Sequence, residues 1–330
     1  MGFEDRFGRI HDELRISVTD RCNLRCAYCM PEEPSWFPRD EILSYEEVAR
    51  LARIFMSRGV RKFRITGGEP LLRRDLPELI RMLADTPGVE ELSLTTNGLL
   101  LDELAGDLVE AGLQRINVSL DTLVPERFRA LTRRDGLDRV LRGLDRARAL
   151  GLEPVKINTV LLREVNDDEV VPLVTTARER GWELRFIEFM PLENGGTWDL
   201  SRVVSGQEVK RAVEARWPLE PDPESDPNAP ATRFLFADGG GAVGFINSVT
   251  EPFCEDCSRL RLTADGKLTT CLYATRETDL KTPLRTGSSP EAMEQLIEQA
   301  VLEKGRGGAL EILERRAPIP LTRTMHQIGG

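Results

Sequence analysis

Six short β-like runs, near 14–18, 62–66, 91–95, 115–119, 155–160 and 183–189, alternate with helical stretches and restrict the chain to a parallel α/β architecture. The helix signals between them are strong. Ser44 with Glu47 forms a capping box that opens a helix running to Arg58, and Gly59 is its expected stop. Gly112, Gly151 and Gly181 stand before later strands in the same role. Apart from this alternation the sequence has no recognisable repeat.

Parallel strands covered on both faces read as continuous apolar runs, yet these alternate. Ile116, Val118 and Leu120 oppose Asn117, Ser119 and Asp121; Phe63 and Ile65 oppose Arg64 and Thr66; Leu92 and Leu94 oppose Ser93 and Thr95. Val155, Ile157 and Thr159 oppose Lys156 and Asn158, while Ile16 and Val18 oppose Arg15 and Ser17. The apolar face must meet the helices, so the polar face points inward. Unpaired buried polar groups are costly, which implies a polar, anionic ligand there. At the carboxyl ends of these strands, where such sheets bind ligands, lie Thr66-Gly67-Gly68-Glu69-Pro70 and Thr95-Thr96-Asn97-Gly98. Gly67 and Gly68 are expected to let backbone approach a ligand closely, with an ordinary tight turn as the alternative.

All six cysteines fall into two groups of three, more than two hundred residues apart. Cys22, Cys26 and Cys29 have C-x3-C-x2-C spacing. Three thiolates leave one corner of a cubane iron-sulfur cluster open to a small molecule. A structural zinc site needs four ligands, and the chain has two histidines, His11 and His326, to help close one. No signal-type run precedes the first strand, so unpaired thiols in a reducing, cytoplasmic setting are expected. The loop, with Tyr28 before its last cysteine, resembles that of the radical S-adenosylmethionine (SAM) enzymes, and Gly-Gly-Glu-Pro resembles their segment contacting the SAM amino group.

Beyond residue 191 the periodicity breaks. A helix near 205–216, a solvated Pro-rich connector at 218–230 and strand-like pieces near 233–236 and 242–246 lead into Cys254, Cys257 and Cys271. These three suit a second cluster, or a zinc site sharing a thiol with the first loop. Arg259 and Arg261 alternate on an expected strand, so their guanidinium groups share a face suited to phosphate. With Arg15, Arg64 and Lys156 they form a local positive set on a chain whose 45 Lys and Arg against 55 Asp and Glu give a net charge of −10. That balance argues against a nucleic-acid coat protein, and no apolar run is long enough to span a membrane. Residues 1–13 are polar and expected to be a mobile arm.

The strings 14–31, 64–73, 95–98, 119–123, 185–191 and 254–271, with the terminal Gly329-Gly330, resemble the GTP 3′,8-cyclase family of molybdenum cofactor biosynthesis over nearly the whole chain. The resemblance implies an incomplete parallel (β/α)6 barrel, residues 1–191, and a C-terminal extension, residues 192–330, closing one side. It implies two [4Fe-4S] clusters, on Cys22, Cys26 and Cys29 and on Cys254, Cys257 and Cys271. SAM contacts fall on Tyr28, Gly68, Ser119 and Met190. GTP contacts fall on Arg15, Arg64, Thr95, Lys156, Arg259, Leu260 and Arg261. Arg259, Arg261, Gly329 and Gly330 are the expected catalytic set, the glycine tail reaching into the site. The implied reaction is removal of the ribose C3′ hydrogen of GTP by a 5′-deoxyadenosyl radical and attack on guanine C8. An electron donor protein, a monomer or homodimer, and hand-off of product to the next enzyme are also implied. Ser258, Glu164-Val165 and His326 depart from the family pattern without removing a ligand. The rival readings are a zinc-structured or electron-carrying protein without catalysis, and a two-cluster radical SAM enzyme acting on peptide or RNA.

Overall fold

The computed structural model describes residues 2–192, 198–315, 321 and 323–329. Two strands, β1 (Phe3–Glu4) and β2 (Ile10–His11), form an antiparallel hairpin. The first six strands of the main sheet are β3 (Glu13–Ser17), β4 (Lys62–Thr66), β5 (Glu91–Thr96), β6 (Arg115–Ser119), β7 (Lys156–Leu161) and β8 (Glu183–Glu188). Their bounds lie within one residue of those expected at every end, because the alternation of apolar and polar positions marks each strand directly. Then come β9 (Leu219–Pro221), β10 (Thr232–Phe236), β11 (Ala242–Ile246), β12 (Arg259–Leu262), β13 (Lys267–Thr269) and β14 (Thr278–Asp279).

The main sheet is mixed, with twelve strands in the order β14-β13-β12-β3-β4-β5-β6-β7-β8-β11-β10-β9. β3 to β8 are parallel and adjacent in sequence order, and one further parallel strand joins each edge, β12 beside β3 and β11 beside β8. Strands from beyond residue 191 therefore join the sheet at both edges. Helices Tyr45–Ser57, Leu76–Ala84, Leu101–Glu110, Leu137–Ala149 and Val170–Arg180 cross between successive parallel strands. The apolar strand face packs on them: Leu14, Ile16, Ile65, Leu94, Ile116 and Val118 have no exposed surface.

The local signals act as expected. Ser44 Oγ accepts from the Glu47 amide at 3.2 Å and Glu47 Oε2 accepts from the Ser44 amide at 2.7 Å, with Gly59 at φ +90° past the helix end. Ser205 and Glu208 make a second such box at the start of helix Gly206–Glu214.

Two expectations fail. Residues 2–13 are not a mobile arm: Phe3 is fully buried edge-on to Phe55, and buried Asp5, Arg9 and His11 satisfy one another, so polar composition here reflects an internal network. The Pro-rich connector is not solvated throughout, because β9 pairs antiparallel with β10 and Asp222 pairs with Arg233.

Candidate functional site

The carboxyl ends of the parallel strands open onto a cavity of about 200 Å³. Cys22, Cys26 and Cys29 line it, together with Tyr28, Gly68, Ser119 and Met190, the residues expected to contact SAM. Thr95 lies here too, beside the first triad, with Asn97 donating to Cys22 Sγ at 3.7 Å and to Asn23 Oδ1 at 2.8 Å. The Tyr28 hydroxyl donates to Asp121 Oδ2 at 2.6 Å, and burial pushes that carboxyl up to about 6. Burial likewise pushes Cys22 up to about 11, with Glu69 adding to it, and Cys29 up to about 12. These thiols hold their protons until a metal displaces them.

The paired glycines have a reason the sequence did not reveal. A Cβ on Gly68 would lie 2.4 Å from Arg21 O and 2.5 Å from Asp20 O; one on Gly67 would lie 2.6 Å from Thr19 O. They are needed because the turn presses against the backbone leading into the cysteine loop, in addition to lining the cavity. Glu69 ties its loop to the end of β5: its carboxylate accepts from the amides of Leu71 and Asn97 and from the Thr96 hydroxyl. Burial pushes it up to about 7.

A second cavity, about 80 Å³, is lined by Cys254, Cys257, Cys271, Arg259 and Arg261. Met190 belongs to the walls of both cavities, so the two triads face adjoining spaces. Burial opposes ionisation of Cys257, yet the charges of Arg259 and Lys304 bring it down to about 6, whereas burial raises Cys254.

The donor sets and the cavity walls fit bound groups. Each cavity gathers three soft thiols and has room beyond them. Asn158 Oδ1 in the first cavity, and Ser248 Oγ and Tyr273 OH in the second, are buried without a hydrogen-bond partner among the described residues. Such atoms are rare in finished interiors and mark where a ligand supplies the bond. Among the described residues no three His, Cys, Asp or Glu side chains converge on a point that would hold a single metal ion.

Strand register assembles the positive set. Arg261, Arg15 and Arg64 share one row across β12, β3 and β4, with Arg259, Glu13 and Lys62 in the row before it. Adjacent strands place such side chains roughly 5 Å apart. The expected five cations are not unopposed. Glu13 accepts from Arg15 Nε at 3.0 Å, and although burial favours its neutral form, Arg64, Arg15 and Arg259 hold it well below the usual carboxylate range. On the other flank Lys156 lies in register with Glu183. Burial and then Arg185 push Lys156 down to about 8.

Arg185, outside the expected set, stands at the same alternate positions of β8 as Glu183 and Ile187. Its Nε donates to Glu183 Oε1 at 2.9 Å, and Gly244 opposite leaves room for its side chain. Leu260 was expected at the site, but its side chain is fully buried in the core, on the strand face opposite Arg259 and Arg261. The tail does return to the sheet: Arg261 Nη1 donates to Gly329 O at 2.6 Å, and a Cβ on Gly329 would lie 2.9 Å from Ser17 Cβ. Gly330 lies outside the described residues. His326, buried beside Thr324, lines the first cavity.

The chain is similar to known proteins over nearly its whole length. The radical SAM superfamily profile matches residues 16–177, and the Molybdenum Cofactor Synthesis C profile matches residues 182–309. The chain is 49% identical to the GTP 3′,8-cyclase of Rhodopirellula baltica, over 99% of this chain and 91% of that protein. It is 44% identical to that of Moorella thermoacetica, over 99% and 100%, and 44% identical to the mitochondrial GTP 3′,8-cyclase of Arabidopsis thaliana, over 99% and 83%. Among solved structures, SuiB of Streptococcus suis bound to S-adenosylmethionine superposes with a TM-score of 0.60 at 15% identity, covering 96% of this chain and 77% of that one. Native anSMEcpe with bound AdoMet gives 0.58 at 16%, covering 89% and 81%. The last two show a shared fold.

Proposed function

The chain belongs to the GTP 3′,8-cyclase family within the radical SAM superfamily, and from that premise we propose that it converts GTP to (8S)-3′,8-cyclo-7,8-dihydroguanosine 5′-triphosphate, an early step of molybdenum cofactor biosynthesis. The observation that carries this reading is the adjacency of two thiol triads across Met190, with the Arg261-Arg15-Arg64 row beside the second. We read residues 1–191 as an incomplete (β/α)6 barrel and residues 192–330 as the extension carrying the second triad and the tail. Each triad holds one [4Fe-4S] cluster, through Cys22, Cys26 and Cys29 and through Cys254, Cys257 and Cys271.

Cys22, Cys26 and Cys29 would hold the group that supplies one-electron reductive cleavage of SAM; loss of the ribose C3′ hydrogen to the deoxyadenosyl fragment and closure of C3′ onto guanine C8 would be balanced by one further electron and a proton, giving an isomer of GTP. The protein's part is binding, orientation and exclusion of water. Tyr28, Gly68, Ser119 and Met190 contact SAM, and Asp121 fixes the Tyr28 ring through its hydroxyl. Arg15, Arg64, Lys156, Arg259 and Arg261, joined by Arg185, hold the triphosphate, while Glu13 and Glu183 keep the guanidinium groups oriented before substrate arrives. Thr95 meets the nucleotide from the first cavity, and the Leu260 contribution is its backbone alone. Arg261 acts together with the tail, whose Gly329 carbonyl it binds. The enzyme works in the cytoplasm with a protein electron donor, as monomer or homodimer, and passes its product on.

The test is an anaerobic assay of the iron-reconstituted chain with SAM and dithionite, with and without GTP. Stimulation of 5′-deoxyadenosine by GTP, with an isomeric nucleotide product, is expected. Cleavage of SAM indifferent to GTP would reject the substrate, and no cleavage would return the chain to the non-catalytic metalloproteins.

A further inference from the structure

A line of buried polar contacts runs from the N-terminal hairpin to the second triad. Lys304, just beyond helix Pro290–Leu302, is 3% exposed and uses all three ammonium hydrogens. They go to Arg259 O at 3.1 Å, Cys257 Sγ at 3.6 Å and His11 Nδ1 at 3.4 Å. Because Nδ1 of His11 receives a hydrogen, its ring proton sits on Nε2, which donates to Asp5 Oδ2 at 3.1 Å. Asp5 is fixed in turn by Arg9 Nε at 2.6 Å and by the amides of Phe7 and Arg9. Arg9 reaches past it to the carbonyls of Cys254, Gly305 and Arg306.

Two buried cations thus grip the cysteine loop, Arg9 at the Cys254 carbonyl and Lys304 at the Cys257 sulfur. A strut needs no charge here, since an apolar side chain of similar length fills the space without the desolvation cost of an ammonium. What the ammonium adds is an N–H aimed at a sulfur. Hydrogen bonds to the sulfurs and nearby positive charge stabilise the reduced, more negative state of an iron-sulfur cluster and raise its potential.

Resting on the reading that the second triad carries a cluster, we propose that Lys304 is a positioning residue for that cluster: Asp5 and His11 hold its ammonium against the Cys257 sulfur, and this contact sets the cluster's reduction potential. The N-terminal hairpin is then part of the second site.

The experiment uses the full chain with Cys22, Cys26 and Cys29 replaced by alanine, reconstituted anaerobically with ferrous iron and sulfide. Iron per chain and an EPR-monitored redox titration are the readouts. In this background Lys304→Met is expected to keep its iron and shift the midpoint to more negative potential, Lys304→Arg to restore most of the parent value, and His11→Phe to shift it the same way by less. Lys304→Met with full iron and the parent potential overturns the proposal. If Lys304→Met holds no iron, His11→Phe decides: full iron at the parent potential overturns the relay, and a negative shift supports it. Absence of iron in the parent itself, with Lys304 intact, removes the second cluster and this inference together, an outcome distinct from the others.

Discussion

At the scale of single residues, close approach and burial decide what each position tolerates. Gly68→Ala drives a methyl into the carbonyls of Asp20 and Arg21, which belong to backbone and cannot swing aside. The expected cost is about 1–3 kcal/mol by the usual penalty of overpacking, read as a lower unfolding midpoint of the metal-free chain. Lys156 makes a prediction about pH. Its charge is present below its value of about 8 and lost above it. GTP affinity should therefore fall as pH rises from about 7 to about 9, by roughly tenfold for loss of one charge-assisted phosphate contact. Lys156→Arg, which stays charged, should flatten that profile in equilibrium binding measurements; an unchanged slope would take Lys156 out of the phosphate contacts.

At the scale of elements, the sequence located the parallel strands well and their loops poorly. Strand positions repeat every two residues, so the residues themselves carry the information. Loop geometry depends on distant partners. Glu188, at the end of β8, accepts from the amides of Gly206, Val249 and Thr250 and from the Thr250 hydroxyl. One buried carboxylate thereby ties the strand to helix Gly206–Glu214 and to the segment ahead of Cys254. Glu188→Ala leaves several buried amides unpaired, at about 1–3 kcal/mol each. The expected outcome is a lower denaturant midpoint and faster proteolysis between β11 and β12, with β3 to β7 less affected.

At the scale of the whole molecule, the two ends of the chain pack at opposite ends of the same strands, the tail against Ser17 at the end of β3 and the hairpin against the Cys254 loop ahead of β12. Gly329 has φ +85° and its carbonyl receives Arg261, so a methyl there is strained and also meets Ser17. Gly329→Ala should bind SAM and GTP as the parent does and yield little cyclised product. Calorimetric binding with product mass measurement separates these effects, and an unchanged yield would make the tail a passive end.

The six parallel strands, the capping of the helix after Ser44, the alternation of apolar and polar strand positions and the grouping of thiols into two triads are legible in the residues alone, because periodicity and spacing are local properties. So are most of the cations, since Arg15, Arg64, Lys156, Arg259 and Arg261 stand at alternate strand positions. The packing of separate strands places Glu13 and Glu183 among those cations and turns Leu260 into the core. The same packing gives Gly67 and Gly68 their role against the backbone and folds the polar N-terminal segment beneath the second triad. The reason is physical: burial, register between separate strands and the satisfaction of buried charges are settled by contacts between residues such as His11 and Lys304, nearly three hundred positions apart.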